Sequence, residues 1–318
     1  MPSTPTAPMR ALVTGSHGFV GPHLLAHLEG SGDDVTGLDR STGVDILDAT
    51  AVAAAVSASG AEVVYHLAGW ADVGASWDDP LAALRANAEG TLNVVEAARA
   101  AGVRRVLVVS SADVYGHVRP DEVPLDEEHP LSPVTPYAAS KIAAEYVAIQ
   151  AWLGRGLETV RIRAFNHIGP GQTNRFVAAA VAERVASNER DGSDVVPLGN
   201  ATPLRDFTDV RDVVRAYRAA MVDGQAGEVY NVCSGRPISI EDLARRVLSL
   251  AERPMTLAPD PDLQRPVDTP VSAGDASKLR RATGWKPEIP LDQTLRDLLD
   301  DARRRVATST STSTKGQT

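Results

Sequence analysis

Near the N-terminus a β-branched run, RALVT (Arg10 to Thr14), passes through TGSHGFVG into a helical stretch, and this junction restricts the fold more than any other feature of the chain. Gly15, Gly18 and Gly21 fall at G-x-x-G-x-x-G spacing. Glycine permits a tight strand-to-helix turn, close backbone approach to a pyrophosphate and close packing of helix on sheet. The helix start then turns free N–H groups and a partial positive charge toward phosphate. Gly15, Gly18, Phe19, Val20 and Gly21 are therefore candidate dinucleotide contacts. A glycine-rich turn without a ligand is the competing reading, and the position between first strand and first helix argues against it.

The rest of the first half repeats the alternation. Apolar runs DVTGLD, EVVYHLA, RRVLVVSS and LETVRIRA are separated by stretches of helical spacing, one from about 80 to 101 and one from about 136 to 153. Alternating strands and helices imply right-handed βαβ units. Nearly all-apolar strands imply a sheet covered on both faces. The expected fold is α/β, a doubly wound parallel sheet of Rossmann type with a smaller, interleaved C-terminal substrate domain. Residues 1–8 form a disordered lead. Residues 9–170 form the dinucleotide-binding domain, to which 204–233 return. Residues 171–203 and 234–306 form the substrate domain, and the polar, low-complexity stretch 307–318 is a disordered tail. Within the second half, RDFTDV reads as a loop entering a helix, and Ser239 caps the helix SIEDLARRVLSLA.

Composition removes several functions. Acidic residues number 41 against 32 Lys and Arg, a formal net charge of -9. That balance argues against broad binding to nucleic acid or anionic membranes. The single cysteine, Cys233, excludes an internal disulfide framework and a Cys-rich zinc site, and no metal site is read. No apolar run approaches the ~18 residues that span a bilayer. MPSTPTAP lacks the regions of a signal peptide. A cytoplasmic location is expected.

The second strand ends at Asp39, where a carboxylate can hold the adenosine ribose hydroxyls and repel a 2′-phosphate. This favours NAD, while the adjacent Arg40 leaves NADP open; a solvated turn is the plainer reading of Asp39. Asp45 and Ile46 are placed along the adenine. Tyr137 and Lys141 are four apart at a helix start, hence on one face. An ammonium beside a phenol is expected to lower the tyrosine pKa from about 10, for proton exchange with a sugar hydroxyl or carbonyl. Such a spacing also occurs in surface pairs. Here it follows a dinucleotide fold, and only four lysines stand among the 32 basic residues. Ser111, at the end of the fourth strand, can bond the reacting oxygen; Ser110 reads as structural.

The segments TGSHGFVG, YHLAG, NAEGTLNVVEAA, VVSSADVYG and PYAASK, in this order and spacing, resemble the extended short-chain dehydrogenase/reductase family. The resemblance runs from about Met9 to Arg305. It implies Ser111, Tyr137 and Lys141 as catalytic residues. It also implies Leu67, Ala68, Gly69 and Asn87 as cofactor contacts. RAFNHIGPGQ, LGNATPLRDFTDV and RPVDTPVSAGD look like the branch acting on GDP-6-deoxyhexoses. In that branch Asn166 is expected at the nucleotide diphosphate, Arg205 and Arg265 at phosphate or ribose, and Asp268 at a ribose hydroxyl. Surface salt bridges are the plain alternative for the two arginines. His167 reads as a packing residue.

The resemblance leaves the reaction to Asp113. A 4,6-dehydratase needs a base at this position, and the dehydratases of the branch carry glutamate there. Aspartate is one methylene shorter, and a misplacement of about 1 Å can cost on the order of a hundredfold. The expectation is an NAD(P)H-dependent reductase of a GDP-4-keto-6-deoxyhexose. The alternatives are a GDP-mannose 4,6-dehydratase, another NAD-retaining dehydratase or epimerase, or a non-catalytic binding protein on the same fold. A homodimer or homotetramer is expected by the same resemblance.

Overall fold

The computed structural model describes residues 7–263 and 269–313. The chain runs β1 (Arg10–Thr14), α1 (Val20–Gly30), β2 (Asp34–Leu38), α2 (Ala49–Ser59), β3 (Val63–His66), α3 (Pro80–Leu84), α4 (Gly90–Ala100), β4 (Arg105–Ser111), α5 (Pro136–Arg155), β5 (Glu158–Ala164) and β6 (Asn166–Ile168). It continues through α6 (Val177–Asp191), β7 (Val195–Leu198), β8 (Leu204–Asp209), α7 (Val210–Asp223), β9 (Val229–Val232), β10 (Pro237–Ser239), α8 (Ile240–Leu248), β11 (Thr256–Pro259), β12 (Val271–Ser272), α9 (Ser277–Thr283) and α10 (Leu291–Ser313).

Among the described residues the main sheet has six strands in the order β2-β1-β3-β4-β5-β9. All its pairings are parallel. Alternate side chains of one strand enter different cores, because successive residues face opposite sides of a sheet. Ala11 and Val13 pack with α1 and α7, whereas Leu12 packs with α2 and α4. The order reverses between β1 and β3, where an open α/β sheet leaves its crevice.

A second core gathers α6, α8 and α10 around Phe207, Val196 and Ile168. Its sheet is β10-β8-β12, with β6 paired to β8. Here the structure corrects the expected boundaries. RDFTDV is strand β8 and belongs to the second sheet, so only α7 and β9 of the stretch 204–233 return to the first. Residues 166–168 already leave the first sheet as β6. Residues 276–285 come back to the first core through Ala276, Leu279 and Trp285. The strand's two carboxylates bond inward: Asp206 accepts from the Ser234, Gly235 and Gly274 N–H groups, and Asp209 accepts from Arg211 N and Thr294 Oγ1. Helix α10 continues to Ser313, so the described part of 307–318 is helical, not irregular; the stretch contains no glycine or proline before position 316 to stop it.

Helix α5 is fixed at both ends. Thr135 caps it by accepting from Ala138 N, Pro136 occupies its first turn and Gly156 closes it. Mid-helix, Glu145 is 1% exposed and receives Arg163 of β5 through two bonds, Nε to Oε1 at 2.9 Å and Nη2 to Oε2 at 3.0 Å. Ser110 of β4 donates to the same carboxylate at 2.6 Å. Arg163 also donates to the Tyr115 hydroxyl and the Glu127 carbonyl. Removing one partner of such a pair leaves a buried charge uncompensated. Glu145→Ala and Arg163→Ala are each expected to lose roughly 3–5 kcal/mol of stability in urea unfolding, with the double substitution losing less than the sum.

Candidate active site

The C-terminal ends of β1, β3, β4 and β5 meet at the crevice. The loop after β1 is tightly built. Gly15 has φ 70°, and a Cβ there would come within 2.8 Å of Ala68 N, on the loop after β3. A Cβ on Gly21 would come within 2.4 Å of the Gly15 and Ser16 carbonyl oxygens. Gly18 is exposed, and a Cβ there would meet only Gly15 O at 3.3 Å, so the loop's outer side is bare backbone. Helix α1 opens immediately behind it at Val20, with Phe19 at its N-cap. A bare glycine turn feeding the N–H groups of a first helical turn fits a pyrophosphate. Leu67 and Ala68 are half-buried beside it. Gly69 passes so close to Asn87 that a Cβ would lie 2.4 Å from Asn87 Oδ1.

Asp39 caps the turn Arg40–Thr42 and accepts from Ser41 N and Ser41 Oγ, each at 2.9 Å. His17 N of the glycine loop reaches its other oxygen at 3.3 Å. Partial burial pushes the Asp39 pKa up, but the bonds from Ser41 and His17 outweigh this and hold it below the usual range. Asp39 thus joins the loop to the rim of the crevice as a carboxylate. Arg40 and Asp45 beside it are exposed, and Ile46 is buried against Gly90.

Tyr137 and Lys141 stand in the first turns of α5, both buried. Lys141 Nζ lies 5.8 Å from the Tyr137 ring centroid and donates to Val109 O at 3.0 Å. Ser111 hydrogen-bonds the phenol. Ser111 Oγ also accepts from Asp113 N at 3.2 Å, which starts the turn Ala112–Tyr115. Asn87 completes the group. It sits in a π-helical segment, Arg85–Glu89, which interrupts the stretch read as one regular helix. Such segments re-aim side chains at functional sites. Asn87 accepts from Trp70 N and donates to Ser140 Oγ, and Ser140 donates to Tyr137 O. Ser76 Oγ accepts from Tyr137 N at 3.2 Å.

The charge state differs from the expectation. Burial raises the Tyr137 pKa far above its usual value, the Asp113 charge raises it further, and the Ser111 bond offsets only part. Lys141 does not pull it down. Burial instead brings Lys141 to about 8, against the opposing pull of Glu145. The i, i+4 spacing does put both groups on one face, but the loss of water around them dominates their charges. In the protein alone Tyr137 is a protonated phenol at neutral pH.

Asn166 is exposed at the start of β6, and its register partner is Phe207 on β8. Arg205, half-buried two residues before Phe207, lies on the same sheet face by strand alternation. Arg265 and Asp268 lie outside the described residues. The sequence reading missed Trp70, Ser76 and Ser140. Ser140 had a signal, its place between Tyr137 and Lys141 in PYAASK; Trp70 and Ser76 had none.

The model of the NAD dependent epimerase/dehydratase family matches residues 11–233. The chain belongs to that family. It is 37% identical over 299 residues to the GDP-6-deoxy-D-mannose reductase of Pseudomonas aeruginosa, covering 93% of this chain and 98% of that protein. The structure of RMD from Pseudomonas aeruginosa complexed with NADPH superposes with a TM-score of 0.87 at 36% identity, over 93% of this chain and 99% of that one. The Thermus thermophilus UDP-glucose 4-epimerase in complex with NAD gives 0.84 at 31% identity, over 93% and 99%. A Cβ on Gly69 would lie 3.8 Å from Lys141 Nζ, so the Lys141 charge stands beside the glycine loops that could hold a dinucleotide.

The sign of its pH dependence follows. Lys141 carries its charge below about pH 8 and loses it above. Dinucleotide affinity, followed by quenching of tryptophan fluorescence, should weaken as pH rises through that value. Lys141→Met should weaken binding about tenfold or more at pH 7 and flatten the profile.

Proposed function

We propose that this chain reduces the C4 carbonyl of a GDP-4-keto-6-deoxyhexose with NADH or NADPH. The observation that carries the reading is the meeting of Ser111, Tyr137 and Lys141 at the crevice, with the phenol hydrogen-bonded to Ser111. A reduction of a ketone ends with an oxygen that needs a proton, and a buried phenol held by Ser111 is poised to donate one. The 37% identity to a GDP-6-deoxy-D-mannose reductase supports the same choice.

In this reading the dinucleotide, when bound, supplies the hydride to C4. Ser111 holds the carbonyl oxygen and Tyr137 gives it a proton. Lys141, charged below about pH 8, holds the nicotinamide ribose. Asn87 and Ser140 fix the first turn of α5 and so the phenol's place. Asp39 holds the adenosine ribose, which favours NADH, and Arg40 beside it would accept the phosphate of NADPH. Asn166 and Arg205 receive the nucleotide diphosphate, for which a forked guanidinium is suited.

Asp113 supports a second reading. Its charge raises the Tyr137 pKa, so a carboxylate lies near the phenol, and a 4,6-dehydratase on GDP-mannose would need a base in that neighbourhood. The two readings separate on one substitution. Purified protein with GDP-4-keto-6-deoxymannose and reduced dinucleotide should lose absorbance at 340 nm. Tyr137→Phe should lower kcat by about a hundredfold or more while dinucleotide still binds. Asp113→Asn should keep most of that activity. Release of a 4-keto product from GDP-mannose without added reductant, abolished in Asp113→Asn, would favour the dehydratase.

We also infer an assembly and a location. Leu81, Leu84, Leu92, Tyr146 and Leu153 are exposed apolar side chains on α3, α4 and α5. A cluster of this kind marks an interface, here between copies of the chain. Light scattering should give twice or four times the chain mass, and Leu153→Glu should lower it. Among the described residues no helix is long and apolar enough to cross a membrane. The dinucleotide and nucleotide sugar of this reading point to the cytoplasm.

A further inference from the structure

We propose that His167, through Phe19, is a positioning residue that transmits occupancy of the glycine loop to the strand carrying Asn166. The proposal rests on the dinucleotide reading and adds a link between the two halves of the site. Phe19 sits at the N-cap of α1, inside the loop between Gly18 and Gly21. Its ring is parallel to that of His167, with centroids 5.9 Å apart and 2° between planes. The same ring meets His23 edge-on at 5.9 Å. His23 Nε2 donates to Pro170 O at 2.9 Å. One loop side chain and one residue of α1 therefore grip residues 167 and 170, on the far side of Asn166 from the main sheet.

His167 is itself held on the substrate side. Its Nδ1 donates to Phe165 O at 3.1 Å, and burial keeps its pKa low, so the ring is neutral and stacks without a charge to solvate. Its carbonyl accepts from Gln172 Nε2 at 2.9 Å. Gln172 Oε1 is buried and has no hydrogen-bond partner. Gln172 ties the end of this segment back to the His167 carbonyl. Strand β6 is only three residues long and pairs with β8 alone. A small displacement of Phe19 when a phosphate settles on the loop is passed ring to ring into β6, and Asn166 moves with it. Two sites biasing one such element is what a coupling free energy consists of.

The test uses ADP-ribose, which fills the glycine loop and adenosine rim but carries no nicotinamide to touch β6 directly. Amide hydrogen exchange is followed across the full chain with and without saturating probe. In the native protein, exchange should slow at 15–21 and also at 166–172, the latter at least about fivefold, the low end of typical coupling. In His167→Ala the slowing at 15–21 should remain and that at 166–172 should vanish. His167→Phe, which keeps a flat ring, should restore it, and Phe19→Leu should lose it. A purely structural role for His167 would alter exchange at 166–172 equally with and without probe, and that result overturns the proposal. So does slowing confined to 15–21 in the native protein. No slowing anywhere would overturn the dinucleotide reading and the link together.

Discussion

The buried carboxylate of Glu145 sets the geometry on which the candidate site depends. It stands on α5 two turns beyond Tyr137 and one beyond Lys141, so the three share one helix face. Arg163 fixes it to β5 and Ser110 fixes it to β4. Arg163 reaches on to Tyr115, whose hydroxyl donates to Asn231 of β9 at 2.7 Å. One charge thus ties the helix to three neighbouring strands, with a bidentate fork that permits little rotation. Burying these ions has a desolvation cost, and hydrophobic packing could match the stability. What the pair adds is direction: α5 cannot slide or turn without breaking it, and the phenol at its start stays aimed at the crevice.

That arrangement also explains the charge states. Lys141 is one turn from Glu145 but shielded from water, so the attraction only partly opposes desolvation. Tyr137 is equally buried and has an acidic neighbour in Asp113, so both effects raise its pKa. A phenol and an ammonium, placed together but both dehydrated, end with the proton on the phenol. In the proposed reduction this arrangement suits a phenol that gives up its proton, and the Asp113 charge acts in the same direction.

Legibility in the sequence followed the physics of each part. The glycine loop could be read because its conformation permits few residues: Gly15 and Gly21 have no room for a Cβ. Tyr137 and Lys141 could be read because a helix converts spacing into a shared face. The main sheet could be read because β1, β3 and β4 are largely apolar runs and the helical stretches alternate with every strand, including β2 and the Arg-bearing β5. The second sheet could not. Its strands are short and polar, and β8 carries two aspartates that sequence patterning assigns to a loop. They are buried because Asp206 collects backbone N–H groups from two distant segments and Asp209 accepts from Arg211 and Thr294. The Tyr137 charge state was illegible for a related reason, since spacing encodes neighbours and says nothing of lost water. Asn166 and Arg205, proposed for the nucleotide, share a face through a register that no local pattern reports.

The π-helical segment at 85–89 has a further consequence. An α-helix advances about 100° per residue, so a wider turn inside it changes the phase of everything that follows. Asn87 faces Trp70 and Ser140, while Val94 and Val95 beyond it still enter the core. Both orientations coexist only because the helix carries the extra turn width between Leu84 and Gly90. For this stretch, length and rotation are one variable. Losing a single residue there would act like turning a key in a lock: either Asn87 or the core face, but not both, could stay in place.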